Sequence, residues 1–116
     1  MKRQVTLIAT GRRSGTPRAV TLYAFDDGEN LVIVGSRGGS AKDPAWADNL
    51  RDNPLATVRI GREDRDVRAR EVEGVERDRL WEIAIKDFPM YTYYERKTKR
   101  VIPLFTLEPA GGGRAP

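Results

Sequence analysis

Leu31-Val32-Ile33-Val34-Gly35-Ser36-Arg37-Gly38-Gly39-Ser40, continuing into Asp43-Pro44-Ala45-Trp46-Ala47-Asp48-Asn49-Leu50, is the stretch around which this 116-residue chain is organised. Its four leading apolar residues have the unbroken pattern of a buried strand. The glycines that follow lack a Cβ, so backbone amides there can approach a ligand closely, and Arg37 stands in the middle of the turn. Asp43 has the chemistry of an N-cap and Pro44 that of a first helical residue, which predicts a helix over 44–53. Strand, cationic glycine turn and helix N-terminus together make a site suited to an anion. The same residues also fit an ordinary strand-to-helix connection in which Gly38 and Gly39 only make the turn.

Upstream, Asp26-Asp27-Gly28 is a tight-turn signal that pairs a strand over 18–25 with one over 30–36 as a hairpin. Residues 5–10 alternate, with Val5, Leu7 and Ala9 on one side, and lead into Gly11-Arg12-Arg13-Ser14-Gly15. The two guanidiniums of that loop can bind phosphate or carboxylate in a bidentate fork, although a plain β-turn with surface arginines has the same sequence. Because a hairpin returns both its ends to one side, Arg12, Arg13 and Arg18 are expected near Arg37.

Downstream, Trp46 and Leu50 lie four apart on the 44–53 helix, with Asn49 beside them. Residues 55–61 alternate, placing Ala56, Val58 and Ile60 on one face, and Gly61-Arg62-Glu63-Asp64 turns them into a strand over 65–73. The dense charge there is expected on the outward face, as solubility and edge protection. A helix over 75–87 carries Leu80, Trp81, Ala84, Ile85 and Phe88 as an apolar stripe. Pro89 breaks it, and a short helical piece follows in which Tyr91 and Tyr94 share a face and Tyr93 points elsewhere. Residues 95–100 are expected to be its solvated end, residues 102–107 the last strand, and residues 110–116 a flexible tail. The fold class is α+β: a mostly antiparallel, six-stranded split barrel with inserted helices, forming one domain over 1–109.

Composition narrows the chemistry. The chain has neither cysteine nor histidine, which removes disulfides, Cys/His zinc sites, thiol nucleophiles and histidine triads. An enzyme built from it must use Tyr, Ser, Lys and carboxylates, or a cofactor. No metal is expected. No apolar run reaches the roughly 20 residues of a membrane span and no signal peptide is evident, so a soluble, cytoplasmic protein is expected. Residues 1–18 hold Lys2, Arg3, Arg12, Arg13 and Arg18 and no acid, a local +5 within a chain of net +4. The basicity is therefore a patch, suited to nucleic acid, anionic lipid or a small polyanion, or simply a solvated terminus.

The loop over 11–18, Leu22-Tyr23, the Ser36-Arg37-Gly38-Gly39 turn, Pro44-Ala45-Trp46, Asn49-Leu50, Asn53-Pro54 and Tyr91-Thr92-Tyr93-Tyr94 before Ile102-Pro103 resemble, in order, the deazaflavin-dependent nitroreductase family. The resemblance covers nearly the whole chain, residues 7–109. It implies a split β-barrel that holds coenzyme F420 and passes a hydride from the reduced cofactor to a quinone, an activated enone or a nitroaromatic. By this resemblance Arg13 and Arg18, with Arg12 and Ser14 as neighbours, would hold the phosphate and glutamyl tail. Ser36, Arg37, Gly38 and Gly39 would meet the deazaflavin, and Trp46 and Asn49 lie on the helix that closes over it. Tyr23, Tyr91 and Tyr94 would line the pocket for a small planar acceptor, where a phenol, with Ser36 as a second donor, can stabilise developing negative charge. Phe88 stands where nitroimidazole-activating members carry a tyrosine, which removes a polar substrate contact. The chain starts almost at the first strand, without the N-terminal helical extension of some members, so membrane association is not implied. Such proteins are monomers or homodimers.

Three other readings fit parts of this pattern. A split barrel can hold flavin mononucleotide on the same arginines, and a carrier can bind deazaflavin without turnover. A nucleic-acid-binding module requires Trp46, Tyr91 and Tyr94 to be exposed along a basic groove.

Overall fold

Alternating strands bury one face each, and six of them escape exposed edges by closing on one another. The computed structural model describes residues 2–110. Its strands are β1 (Lys2–Thr10), β2 (Pro17–Asp27), β3 (Asn30–Val34), β4 (Leu55–Ile60), β5 (Glu63–Glu71) and β6 (Leu104–Pro109). Its helices are α1 (Ala45–Asp52), α2 (Gly74–Asp87) and α3 (Met90–Lys97), with a single 3₁₀ turn at Arg37–Gly39. The strands run β1-β2-β3-β6-β5-β4 round a closed barrel, in which β4 pairs back onto β1 and every neighbouring pair is antiparallel. The α+β barrel with inserted helices is thus the observed architecture. Of the tail expected over 110–116, Ala110 donates its N–H to the Asp66 carbonyl at 2.9 Å, and the rest lies outside the described residues.

The unbroken apolar run in β3 has a direct cause: both of its faces are buried. Leu31 and Ile33 join Val5, Leu7, Val58 and Phe105 inside the barrel, while Val32 and Val34 pack outside it with Leu80, Trp81, Tyr91 and Leu104. The register matches, since Leu31 lies opposite Leu107 and Ile33 opposite Phe105 on β6. Helix α1 closes the barrel interior with Trp46, Ala47 and Leu50, and α2 and α3 cover the outer face of β3 and β6. On β5 only Val67 and Ala69 face inward, and the charged residues point to solvent, where Arg59 and Asp64 form a cross-strand ion pair.

Several boundaries differ from those read in the sequence. β3 ends at Val34, where the ladder becomes one-sided: the Gly35 N–H still donates in register to the Pro103 carbonyl at 2.8 Å, but the Gly35 carbonyl accepts from Arg100 and not from β6. β6 starts at Leu104 for the complementary reason that Pro103 has no N–H to give. Glu63 already pairs with Ile60, so β5 begins two residues early across a tight turn that Gly61 opens at φ 62°. The largest correction concerns α1. Pro44, in extended backbone, occupies the N-cap position and Asp43 is not a cap; its carboxylate accepts instead from Arg51 Nη1 at 2.9 Å and Arg100 Nη1 at 2.7 Å. Two guanidiniums outcompete the orphan amides of one helix end for the same carboxylate.

Candidate functional site

The loop between β1 and β2 is closed by its own backbone. Gly11 N–H donates to the Thr16 carbonyl at 2.8 Å, and Gly15, at φ 71°, donates to the Gly11 carbonyl at 2.9 Å. Ser14 is spent inside this loop, its Oγ 2.8 Å from Thr16 Oγ1 and accepting the Thr16 N–H at 3.2 Å. Arg12, Arg13 and Arg18 are left exposed around it. Asn49 has a part that its spacing did not suggest: its Oδ1 accepts the Arg12 backbone N–H at 2.9 Å and ties the arginine loop to α1.

The second half of the site is the turn over residues 35–40. Arg37 is the one non-glycine residue with positive φ among the described residues, at 45°, and Gly38 and Gly39 follow at 64° and 81°. Three consecutive left-handed residues are costly unless their surroundings hold them. Gly39 is packed so closely beneath α3 that a Cβ would lie 3.0 Å from the Tyr94 carbonyl oxygen, whereas Gly38 faces open space. Ser36 is buried. Arg100 lies against this turn, and here the sequence reading needs correction: α3 ends at Lys97, and Arg100 is not part of a solvated helix end but is mostly buried in hydrogen bonds to the turn.

Loop, turn and α1 enclose one cleft of about 770 Å³, lined by Arg12, Arg13, Ser14, Arg18, Arg37, Trp46 and Asn49 together with Asp43 and Asp48. Its charge is less balanced than that list suggests. Arg51 holds both aspartates, at 2.9 Å and 3.0 Å, and Arg100 shares Asp43. Arg51 is itself held in its charged state chiefly by its hydrogen bond to Glu71, against a smaller opposing effect of burial. Arg12, Arg13, Arg18 and Arg37 have no carboxylate partner among the described residues, so four guanidiniums face the cleft unneutralised. Trp46 is 8% exposed, edge-on to Phe105 at 5.7 Å between centroids, and contributes the floor of the cleft from within the core. Among the described residues no group of three or more Asp or Glu could hold a metal, and no helix is long and apolar enough to cross a membrane.

The tyrosines form a separate group on the other side of the turn, and none of them lines the cleft. Tyr91 is at its centre, 5% exposed, with ring centroids of Phe88 at 4.7 Å, Phe25 at 5.8 Å and Tyr94 at 6.3 Å. Tyr23 is 41% exposed and meets Phe88 at 5.9 Å. Lys2, counted in the sequence only among the cations of the N-terminal patch, sets its ammonium 4.5 Å from the Tyr23 ring centre and 5.1 Å from that of Phe88. Tyr93 is exposed and points away from the shared face of Tyr91 and Tyr94. The Arg37–Gly39 turn joins the two halves, since Arg37 lines the cleft and Gly39 packs under α3.

Burial, with smaller contributions from Tyr94 and Tyr23, pushes the Tyr91 phenol up to about 12. At neutral pH it is protonated, as an ordinary phenol also is, and can act as a hydrogen-bond donor. In the unfolded chain a tyrosine ionises near 10, so between about pH 10 and 12 the folded state binds the extra proton and stability falls as pH rises. Denaturation midpoints measured across that range should fall less steeply for Tyr91→Phe than for the parent protein; equal slopes would place the titration elsewhere.

The family profile described as F420H(2)-dependent quinone reductase matches residues 1–109. An F420H(2)-dependent quinone reductase of Mycobacterium tuberculosis is 35% identical over 104 residues, covering 87% of this chain and 70% of its own. The solved structure of an F420-H2 dependent reductase, FDR-A, superposes with a TM-score of 0.83 at 38% identity, over 90% of this chain and 93% of that one. A second structure, described as a domain-swapped dimer, gives a TM-score of 0.84 at 38% identity over 90% of this chain and 79% of its own. HutZ, the heme storage protein of Vibrio cholerae, covering 92% of this chain and 81% of its own, shares the fold alone, with a TM-score of 0.71 at 15% identity.

Proposed function

This chain belongs to the F420H(2)-dependent quinone reductase family, and we propose that it is an oxidoreductase that delivers a hydride from reduced coenzyme F420 to a quinone-type acceptor, with activated enones and nitroaromatics as further acceptors. The observation that carries this reading is the cleft with four unneutralised guanidiniums beside a glycine turn. That donor set fits the cofactor: a phosphate and glutamyl tail needs several cations that no protein carboxylate competes for. Bound there, reduced deazaflavin supplies the hydride, chemistry that protein side chains do not supply themselves.

The protein's own contribution is binding, orientation and charge. In this reading Arg12, Arg13 and Arg18 hold the anionic tail, Ser14 shapes their loop, and Asn49 fixes that loop against α1. Ser36, Arg37 and Gly38 present backbone and side-chain donors to the ring system, Gly39, whose N–H is spent on the Ser36 carbonyl, shapes the turn that carries them, and Trp46 supports the ring system from the core. Tyr23, Tyr91 and Tyr94 bound the acceptor, where a phenol O–H donates to an oxygen on which negative charge develops. Phe88 in the middle of this group makes it less polar, which favours quinones over nitroimidazoles. In this reading residues 1–109 act as one unit, in the cytoplasm. The nucleic-acid alternative needs exposed stacking rings, and Trp46 and Tyr91 are buried.

The test is a fluorescence titration of the purified protein with oxidised F420, with flavin mononucleotide and a short oligonucleotide as competitors, followed by steady-state oxidation of F420H2 with a quinone. Saturable binding that resists both competitors, with quinone-dependent turnover, is the expected result. Tight flavin or oligonucleotide binding with none of F420 would overturn the assignment, and F420 binding without turnover on any acceptor would make the protein a carrier.

A further inference from the structure

Arg100 makes four side-chain hydrogen bonds, three of them to carbonyls of the 35–40 turn. Its Nε donates to the Ser40 carbonyl at 2.9 Å, Nη1 to the Gly35 carbonyl at 3.1 Å, and Nη2 to the Ser36 carbonyl at 2.7 Å, while Nη1 also pairs with Asp43 at 2.7 Å. The side chain is 14% exposed. We infer that Arg100 is a positioning residue for the cofactor site, a cationic staple that holds the 35–40 turn in its left-handed form and fixes which way its amides point; this rests on the proposed deazaflavin reading of the cleft.

The geometry follows from the planar peptide. In a trans peptide the carbonyl of one residue and the N–H of the next point in opposite directions. With the Gly35 and Ser36 carbonyls drawn to Arg100, the N–H groups of Ser36 and Arg37 are turned away from it, as fixed donors on the opposite side of the segment. Arg37 carries the strain of this arrangement at φ 45°, and strain of that kind persists only while neighbours hold it. Asp43 completes the arrangement by anchoring the guanidinium to the start of α1, through a carboxylate that Arg51 also grips. Arg100 also follows α3, so one side chain links the turn to the helix that bears Tyr91 and Tyr94. Preformed donors need no reorganisation on binding, which is where loss of the staple should be felt.

Three readouts on Arg100→Ala and Arg100→Lys decide this, with Arg68→Ala, an exposed residue of β5, as the control. In ligand-free protein the Gly39 and Ser40 amides, which donate to the Ser36 and Arg37 carbonyls, should exchange about tenfold faster in Arg100→Ala, on the scale of a lost charge-assisted hydrogen bond, with Phe105 on β6 unchanged. The KM for F420H2 should rise about tenfold or more while kcat stays within about threefold, because loss of pre-organised binding acts on the ground-state complex. A merely structural role would lower the amount of active enzyme and leave KM alone. Arg100→Lys, which keeps the charge for Asp43 but not the fork, should recover part of both effects; if Arg100→Ala does not fold, the lysine variant alone is read for the same changes. Unchanged exchange at Gly39 and Ser40, or an unchanged KM in a folded variant, overturns the inference. Should the parent protein not use F420H2 at all, the functional reading fails by itself, and the exchange measurement still decides whether Arg100 holds the turn.

Discussion

Replacing Arg13 and Arg18 together by alanine is expected to weaken F420 binding about 100-fold and to leave thermal stability almost unchanged. The first half follows from the cleft: neither guanidinium has a carboxylate partner among the described residues, so neither has a competing role, and both are open to a multiply charged tail. A charge-assisted hydrogen bond to phosphate or carboxylate contributes about tenfold in affinity, and two acting on separate groups approach additivity. The second half follows from exposure, because surface substitutions away from caps and cores shift stability by only about 0.5 kcal/mol. Fluorescence titration at low and high salt, beside a thermal melt, measures both. The parent's affinity should fall with salt, and the double variant's should fall less, since fewer screened contacts remain. If affinity stays within about threefold in a variant that melts normally, the tail is held elsewhere and the cation cluster has lost its assigned purpose.

What the sequence discloses about this molecule depends on how far apart the interacting residues are. The alternation of Val5, Leu7 and Ala9 and the tight turn at Asp26-Asp27-Gly28 are local signals, and β1, β2 and β3 follow them. The clustering of Arg12, Arg13 and Arg18 with Arg37 also follows from local facts, because hairpins return their ends to one side. Closure of the barrel by β1 with β4 is not legible in that way, since nothing in either strand names the other. Asp43 shows the limit clearly: beside Pro44 it has every local mark of an N-cap, yet its carboxylate answers to Arg51, in the last turn of the helix that follows, and to Arg100, 57 residues away. Arg100 is hidden for the same reason, as the last of a run of charges whose other members are solvated. Helical spacing gave Tyr91 and Tyr94 their common face, but not the turn that stands between them and the cleft.

Trp46 belongs to both the core and the cleft, and two substitutions should separate these roles. Trp46→Ala is expected to destabilise the protein by about 3–5 kcal/mol, the usual cost of deleting a buried aromatic. The ring is 8% exposed, packs edge-on against Phe105 and anchors α1 into the barrel interior beside Leu50 and Ala47, so its loss leaves a cavity at the point where the helix meets the strands. In a domain of this size that corresponds to a melting temperature lower by about 15–25 °C, a large part of a typical total stability. A drop in F420 affinity in that variant would be ambiguous, because α1 carries Asn49, and Asn49 holds the arginine loop through the Arg12 amide. Trp46→Phe removes the ambiguity. It keeps an aromatic edge for Phe105 and most of the buried volume, at a cost of about 1.5 kcal/mol or less. With α1 still seated, F420 affinity within about threefold of the parent would mean that Trp46 serves the site by holding its floor. A loss of tenfold or more without a matching fall in melting temperature would mean that the indole edge touches the ligand itself.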